Sequence, residues 1–356
     1  MSITERLTRH LDSVTRKRGN RGAPQVQVSA PGLEFSYGDA ALPFHIASIG
    51  KVPTAVLVMQ LVESGAFSLE TPVVGLLPAG TLDGGLLGGL VEPARIATVT
   101  VGDLLAHEGG VADYFEGPVT SGATLLERVI AEPDRFWTPE DLLDFSRRHQ
   151  KPAGPGFTYS DTGYVLLGLM LEHVTGRAFH ELLHERVFTP LGMDDSYMLY
   201  RSEPAAGVRR VAPIAPFTLG KVEASTFRSV SCDWAGGGIV STLGDLTRFS
   251  RALHGGELVS EASLARLTAV RNRFRRGIHY GTGMMELRFE EFFFLLRGLP
   301  RPTGHIGVLG THMFYDAVND AHIVMNFGGT TEMVRSFRTL IQIETELRRA
   351  AGVSRR

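Results

Sequence analysis

The chain has 356 residues, 43% of them hydrophobic and 21% charged, enough to bury one large core or two closely joined ones. Its 36 basic and 38 acidic residues leave a formal net charge of -2, so no overall field favours nucleic acid, an anionic membrane or a highly charged substrate. A single cysteine, Cys232, excludes an intramolecular disulfide; the start holds no apolar run of signal-peptide type, and the run Val52 to Met59 is far shorter than the ~20 residues of a membrane span, so a soluble cytoplasmic protein is expected.

Ile3, Leu7, Leu11 and Val14 recur at helical spacing and predict an amphipathic helix over 3–18. Val26 and Val28, then Leu33, Phe35 and Tyr37, alternate as two short strands would, with Pro31-Gly32 as the turn. After Phe44-His45-Ile46-Ala47 a long apolar helix is predicted from Val52 to Ser64, closed at Gly65. From about 67 to 215 the pattern becomes loops and helices, a mainly helical inserted domain. It contains a flexible stretch from Gly80 to Gly89 and helical periodicity at 101–107, 139–149, 162–174 and 178–187. Strand character returns near 222–241. Met284 to Phe289, Phe292 to Leu296, Val308 to Tyr315 and His322 to Phe327 then predict strands of an antiparallel meander, and a helix over 333–349 returns to cover it. The expected fold is α/β in the α+β sense: an antiparallel sheet flanked by helices, built from 1–66 and 216–356, with the helical domain 67–215 inserted and a cleft between the two.

Ser48-Ile49-Gly50-Lys51 stands at the start of the buried helix. Residues three apart share a helix face, so the Lys51 ammonium can reach the Ser48 hydroxyl. A serine is a poor nucleophile until a neighbouring base takes its proton, and the N-terminus of a helix offers backbone N–H groups to an oxyanion. Alone, S-x-x-K also describes a helix cap followed by an exposed lysine.

Phe157-Thr158-Tyr159-Ser160-Asp161 precedes the next long helix. A tyrosine beside a lysine can pass a proton between nucleophile and leaving group, the positive charge favouring the phenolate. Asp161 either orients those partners or simply caps the helix. Thr303-Gly304-His305-Ile306-Gly307-Val308 opens a predicted strand; its glycines mark the close approach of a ligand or another backbone, and the Val308 N–H is a candidate second oxyanion donor. By itself G-H-x-G also reads as a turn.

Together and in this order the three segments resemble the serine β-lactamase-like family, which includes class C β-lactamases, D-alanyl-D-alanine carboxypeptidases and related esterases, with motifs S-x-x-K, Y-x-N and K-T-G or H-x-G. Val99 to His107, Tyr159 to Gly168, Phe188 to Met193 and Ala235 to Thr242 are similar to it too. The resemblance runs from about 35 to 330. It implies Ser48 as acylated nucleophile, Lys51 as base, Tyr159 as proton relay, and an oxyanion hole from the Ser48 and Val308 N–H groups beside Gly307. Two departures bear on substrate. Asp161 stands in place of asparagine and removes an amide donor. His305 stands in place of lysine and weakens recognition of a carboxylate. Both point away from β-lactams and towards a small ester, amide, lactone or acyl intermediate, with no cofactor.

Three other readings compete. The same acyl-enzyme can be passed to an amine or alcohol by an acyltransferase, or persist in a ligand sensor without turnover. His180-Glu181-Leu182-Leu183-His184 matches the H-E-x-x-H zinc peptidase pattern. There, Phe179, Leu182, Leu183 and Val187 form the inward stripe, and a solvated outer face accounts for the histidines more simply. Cys232, followed by Asp233, is read as structural, because a neighbouring carboxylate disfavours the thiolate.

Overall fold

The computed structural model describes residues 1–80, 85–204 and 213–352. Residues 81–84 of the glycine-rich stretch, and 205–212 near the end of the helical region, lie outside the described residues.

Helix α1 (Ile3–Arg18) starts at Ser2, whose hydroxyl accepts the Glu5 N–H while Glu5 returns a bond to the Ser2 backbone. Strands β1 (Gln25–Ala30) and β2 (Leu33–Tyr37) form a hairpin through Pro31-Gly32. The two-residue strand β3 (Phe44–His45) leads into a 3₁₀ turn, Ala47–Gly50, and then the buried helix α2 (Lys51–Glu63). The helical region carries α3 (Val101–Leu105), α4 (Leu125–Ala131), α5 (Pro139–His149), α6 (Asp161–Thr175) and α7 (Phe179–Leu183), the last running into a π-turn, His184–Phe188. The expected segments at 101–107, 139–149, 162–174 and 178–187 are these helices; α4 is additional.

Beyond it come β4 (Tyr197–Met198), β5 (Thr218–Leu219), β6 (Val222–Glu223), the single-turn α8 (Trp234–Gly237) and β7 (Ile239–Ser241). The strand character expected over 222–241 is confined to its two ends. Helices α9 (Leu243–His254) and α10 (Glu261–Thr268) follow, then β8 (Asn272–Arg275), β9 (Ile278–Tyr280) and β10 (Met285–Leu287). The strand expected at Phe292–Leu296 is a correction: α11 (Phe289–Phe292) and a 3₁₀ turn occupy the segment, with Phe293, Phe294 and Leu295 exposed. A run of apolar residues without alternation carries no strand period, and none of these three side chains finds a sheet to cover it. The chain ends with β11 (Thr303–Gly307), β12 (Thr311–Asp316), β13 (Ala321–Asn326) and α12 (Met333–Ala350).

The main sheet has eight antiparallel strands in the order β2-β1-β13-β12-β11-β10-β9-β8. Pairing β1 with β13 brings both ends of the chain together, and α1 lies beside α12 with Arg6 bonded to Glu346 at 2.5 Å. Side chains alternate across the sheet. Val26, Val28, Ile323 and Met325 meet Leu7, Leu11, Leu340 and Ile343 of the terminal helices. Met313 and Val324 face the other way, into a core that runs without interruption through α2, α6 and α9 into the helical region. The cleft opens where that core meets the edge of β11.

One buried acid sits under α12. Both oxygens of Glu344 are enclosed, and burial, reinforced by Asp316, pushes its carboxyl well above the ordinary range. The stability Glu344 contributes as a neutral acid is therefore complete below its unfolded pKa of about 4.3 and is lost as pH rises through the raised folded value. Glu344→Gln, neutral at every pH, is expected to be more stable than the parent at pH 9 by about 1–3 kcal/mol and to show a flatter melting temperature between pH 5 and pH 9.

Candidate active site

Ser48 lies half-buried in the 3₁₀ turn between β3 and α2. The turn is held in a conformation that side chains rarely adopt: Ala47 has φ +50°. Its neighbours over-determine it. Ala47 N–H donates to His45 Nδ1 at 3.1 Å, Ile46 N–H to the Ile239 carbonyl at 3.0 Å, and the Thr311 hydroxyl to the Ile46 carbonyl at 2.9 Å. Glycines make this approach feasible. A Cβ at Gly307 would lie 2.7 Å from the Ile46 oxygen, and one at Gly237 2.8 Å from the Ala47 carbonyl carbon.

Lys51 is wholly enclosed, and its Nζ has three acceptors for three donors. These are Ser48 Oγ at 3.2 Å, the Gly236 carbonyl at 2.9 Å and the Asp161 carboxylate in close contact. Aromatic rings complete the shell, Tyr159 and Tyr164 with centroids 4.9 and 5.3 Å from Nζ. A Cβ at Gly236 would lie 2.8 Å from Asp161 Oδ1, which explains the middle of the Ala235 to Gly238 segment. Helix α6 is capped by Ser160, whose hydroxyl accepts the Gly163 N–H at 3.1 Å. That leaves the Asp161 carboxylate for Lys51, so the capping role considered for Asp161 falls to its neighbour. Asp161 N–H in turn donates to Asp113 Oδ1 at 3.0 Å, and burial, with Asp161 adding, pushes the Asp113 carboxyl up to about 7.

Tyr159 is set by His107, a residue at φ +59°. The His107 carbonyl accepts the Thr158 N–H at 2.9 Å, its Nδ1 accepts the Ser160 N–H at 3.0 Å, and its ring lies 4.2 Å from that of Tyr159. Burial foremost, then Lys51 and His305, lowers His107 well below the usual imidazole range and keeps the ring neutral. Tyr159 does not rest as a phenolate. Burial, and next Asp161, raises it well above the ordinary phenol value, with the Ser48 hydroxyl opposing by a hydrogen bond. The lysine charge expected to favour the phenolate is spent on Asp161 and lies over the ring.

His305 is likewise placed differently from a residue that greets a substrate carboxylate. It is wholly buried, with Nδ1 donating to the Ile306 carbonyl at 2.8 Å and Nε2 beside the Tyr280 hydroxyl at 3.2 Å. Burial and then Lys51 hold it down to about 3, hence neutral. Alternation along β11 is the reason: His305 faces inward, and Ile306 faces the cleft.

The cleft itself has a volume of about 210 Å³ and is lined by Ser48, Tyr159, Asp161, Asp233, Val308 and the apolar side chains of Phe115, Phe274, Ile278, Met285, Ile306 and Phe337. Val308 begins the turn after β11, and its N–H donates to no backbone carbonyl among the described residues. Elsewhere, Glu181 accepts the Ala178 N–H and pairs with Arg177 at 3.2 Å, while His184 Nε2 meets the Ser202 hydroxyl at 3.1 Å. No group of three or more His, Cys, Asp or Glu among the described residues is placed to share a metal ion. Cys232 is buried outside this cleft, its thiol pushed up by burial and by Asp233. No helix among the described residues is long and apolar enough to cross a membrane.

The sequence profile of the Beta-lactamase family matches residues 36–343. The chain belongs to that family. Of similar proteins, penicillin-binding protein 4 of Amycolatopsis lactamdurans is 34% identical over 160 residues, 44% of this chain and 36% of that protein. Lovastatin esterase of Penicillium rubens is 25% identical over 245 residues, 65% of this chain and 59% of that one. Each match spans less than two thirds of the relative's own length. D-amino acid amidase from Ochrobactrum anthropi SV3, solved with L-phenylalanine amide, shares the fold with a TM-score of 0.76 at 21% identity, covering 97% of this chain and 99% of that one. The chain is thus a β-lactamase-fold protein of a hydrolase family, with penicillin-binding and esterase relatives by sequence and an amidase sharing its fold.

Asp113, His107, Tyr280, Asp233 and Gly236 join the site without having been singled out as functional by motif. Only Gly236 and His107 had a local signal, the glycine run and the Ala106-His107-Glu108 segment. The others are brought in by tertiary packing.

Proposed function

We propose that the protein is a serine acyl hydrolase that opens a small ester or amide through an acyl-enzyme on Ser48. One observation carries the reading: a wholly enclosed lysine whose Nζ lies 3.2 Å from the hydroxyl of a serine facing the cleft. In the amine form Lys51 keeps N–H bonds to Asp161 and Gly236 and turns its lone pair to Ser48. Ser48 Oγ bonds to the acyl carbon as its proton passes to Lys51 Nζ, and the carbonyl oxygen becomes an oxyanion held by the Ser48 and Val308 N–H groups beside Gly307.

The leaving-group bond then breaks and takes a proton from Tyr159, a phenol by its raised pKa, which regains one from Lys51. Water repeats the sequence in reverse order and frees Ser48; an alcohol or amine in its place gives acyl transfer. A groove of about 520 Å³, lined by Pro118, Val119, Lys151 and Pro152, meets the cleft at Tyr159 and suits the leaving group.

A p-nitrophenyl ester mixed rapidly with the enzyme is expected to release a burst of p-nitrophenol equal to the enzyme concentration, followed by a slower steady state. Ser48→Ala is expected to show neither phase. A burst retained in Ser48→Ala contradicts the reading.

A further inference from the structure

The cleft has a side chamber. Beside Val308 lies a free volume of about 20 Å³, enough for one water molecule and too little for a propyl alcohol. Phe115, Asp233 and Val308 line both spaces, so the chamber adjoins the cleft next to the N–H group assigned to the oxyanion. Most of its remaining wall is apolar, and two polar side chains meet in it, His45 and Asp233.

Their hydrogen bonding is incomplete in a way that one water completes. His45 Nδ1 accepts the Ala47 N–H at 3.1 Å, so the neutral ring carries its hydrogen on Nε2. Burial keeps that ring neutral, holding it down to about 4. Its Nε2 is enclosed and has no hydrogen-bond partner among the described residues, a costly state for a buried donor. Asp233 Oδ2 lies 3.7 Å away. That is too far for a direct N–H···O bond, and it suits a water that accepts from the imidazole and donates to the carboxylate. Burial and then Asp161 push the Asp233 carboxyl up to about 7, and a water donating to it favours the charged form.

We infer that this chamber holds the water that frees Ser48, with His45 and Asp233 positioning it, so that the acyl-enzyme passes to water in preference to a larger acceptor. The inference rests on the acyl-hydrolase reading above and names its acceptor. An acyl group that fills a largely apolar cleft displaces the solvent there, and the chamber keeps one water beside Val308. The water oxygen bonds to the acyl carbon while one of its protons passes through the Tyr159 hydroxyl to Lys51. From Lys51 that proton goes to Ser48 Oγ as the bond from Oγ to carbon breaks, and the other stays on the released acid. His45 and Asp233 exchange no proton in the step; they fix where the oxygen waits.

The test gives the enzyme a p-nitrophenyl ester in the presence of propanol and measures the ratio of propyl ester to free acid formed. Both products come from one acyl-enzyme, so the ratio divides out any change in folding or in the amount of active enzyme. His45→Asn keeps an acceptor for the Ala47 N–H and removes the Nε2 donor, while Asp233→Leu removes the acceptor for the water. Propanol, too large for the chamber, attacks from the open cleft. Each variant is therefore expected to raise the ratio by about 10-fold or more, the worth of one hydrogen bond to the water, and to slow the steady phase while the burst persists. A ratio unchanged in either variant overturns the inference and leaves the hydrolase reading standing. Absence of a burst in the parent overturns both.

Discussion

Replacing Lys51 with methionine is expected to slow acylation of Ser48 by about 10²–10⁴-fold, the range of a lost general base. The difficulty in reading such a variant is that Lys51 also neutralises Asp161, which is 6% exposed. Removing one partner of a buried pair costs about 3–5 kcal/mol, so activity and stability fall together in Lys51→Met. Replacing both partners separates them. Lys51→Met combined with Asp161→Leu is expected to recover most of the lost melting temperature and to remain inactive in single-turnover acylation. A double variant that acylates at the parent rate would show that another group takes the serine proton.

The second large effect is expected at Tyr159, and its size depends on the leaving group. Tyr159→Phe keeps the ring that covers Lys51 Nζ and the stacking on Phe274, 5.0 Å between centroids, so the shell around the lysine is preserved. What is lost is the proton donor. An anilide or alkyl ester, which must be protonated to depart, is expected to lose about 10²–10³-fold in kcat/KM. A p-nitrophenyl ester departs as a stable anion and is expected to lose less than about tenfold. The measurement is kcat/KM across a series of leaving groups of graded basicity. A uniform loss across the series would mean that Tyr159 acts on Ser48 rather than on the leaving group.

The parts of the fold with an internal period were legible in the sequence. The first helix, the first hairpin, the buried helix after Ser48 and the last helix stand within a residue or two of where their apolar spacing puts them. Helix α9 carries Leu243, Leu246, Phe249 and Leu253 behind a Thr242 cap, a signal of the same kind that the expected elements lack. Phe292 to Leu296 shows the converse: aromatic residues favour strands only where a neighbour covers them, and here Phe294 is 64% exposed.

At the site, helical spacing put Lys51 beside Ser48 and the family resemblance implied Tyr159, Asp161 and Val308 with them; Ser48, Tyr159, Asp161 and Val308 line one cleft, with Lys51 bonded to Ser48 behind it. Side-chain direction was not legible. His305 turns inward because β11 alternates, and Asp161 is free for Lys51 because Ser160, rather than Asp161, caps the helix. Asp113 and Asp233 carry no local pattern at all. Asp113 enters through its bond to the Asp161 N–H and Asp233 through the turn leading into α8, whose glycines admit the Asp161 carboxylate at Gly236 and the Ala47 backbone at Gly237, where a side chain would clash.

The most direct test of the account is the intact mass of the protein after exposure to a fluorophosphonate and, separately, to a slowly hydrolysed p-nitrophenyl ester, followed by peptide mapping, on parent and Ser48→Ala. One adduct per chain is expected on the peptide containing Ser48, stable for the phosphonate and decaying for the ester, and none in Ser48→Ala. An adduct on another residue, or equal labelling of Ser48→Ala, would contradict it.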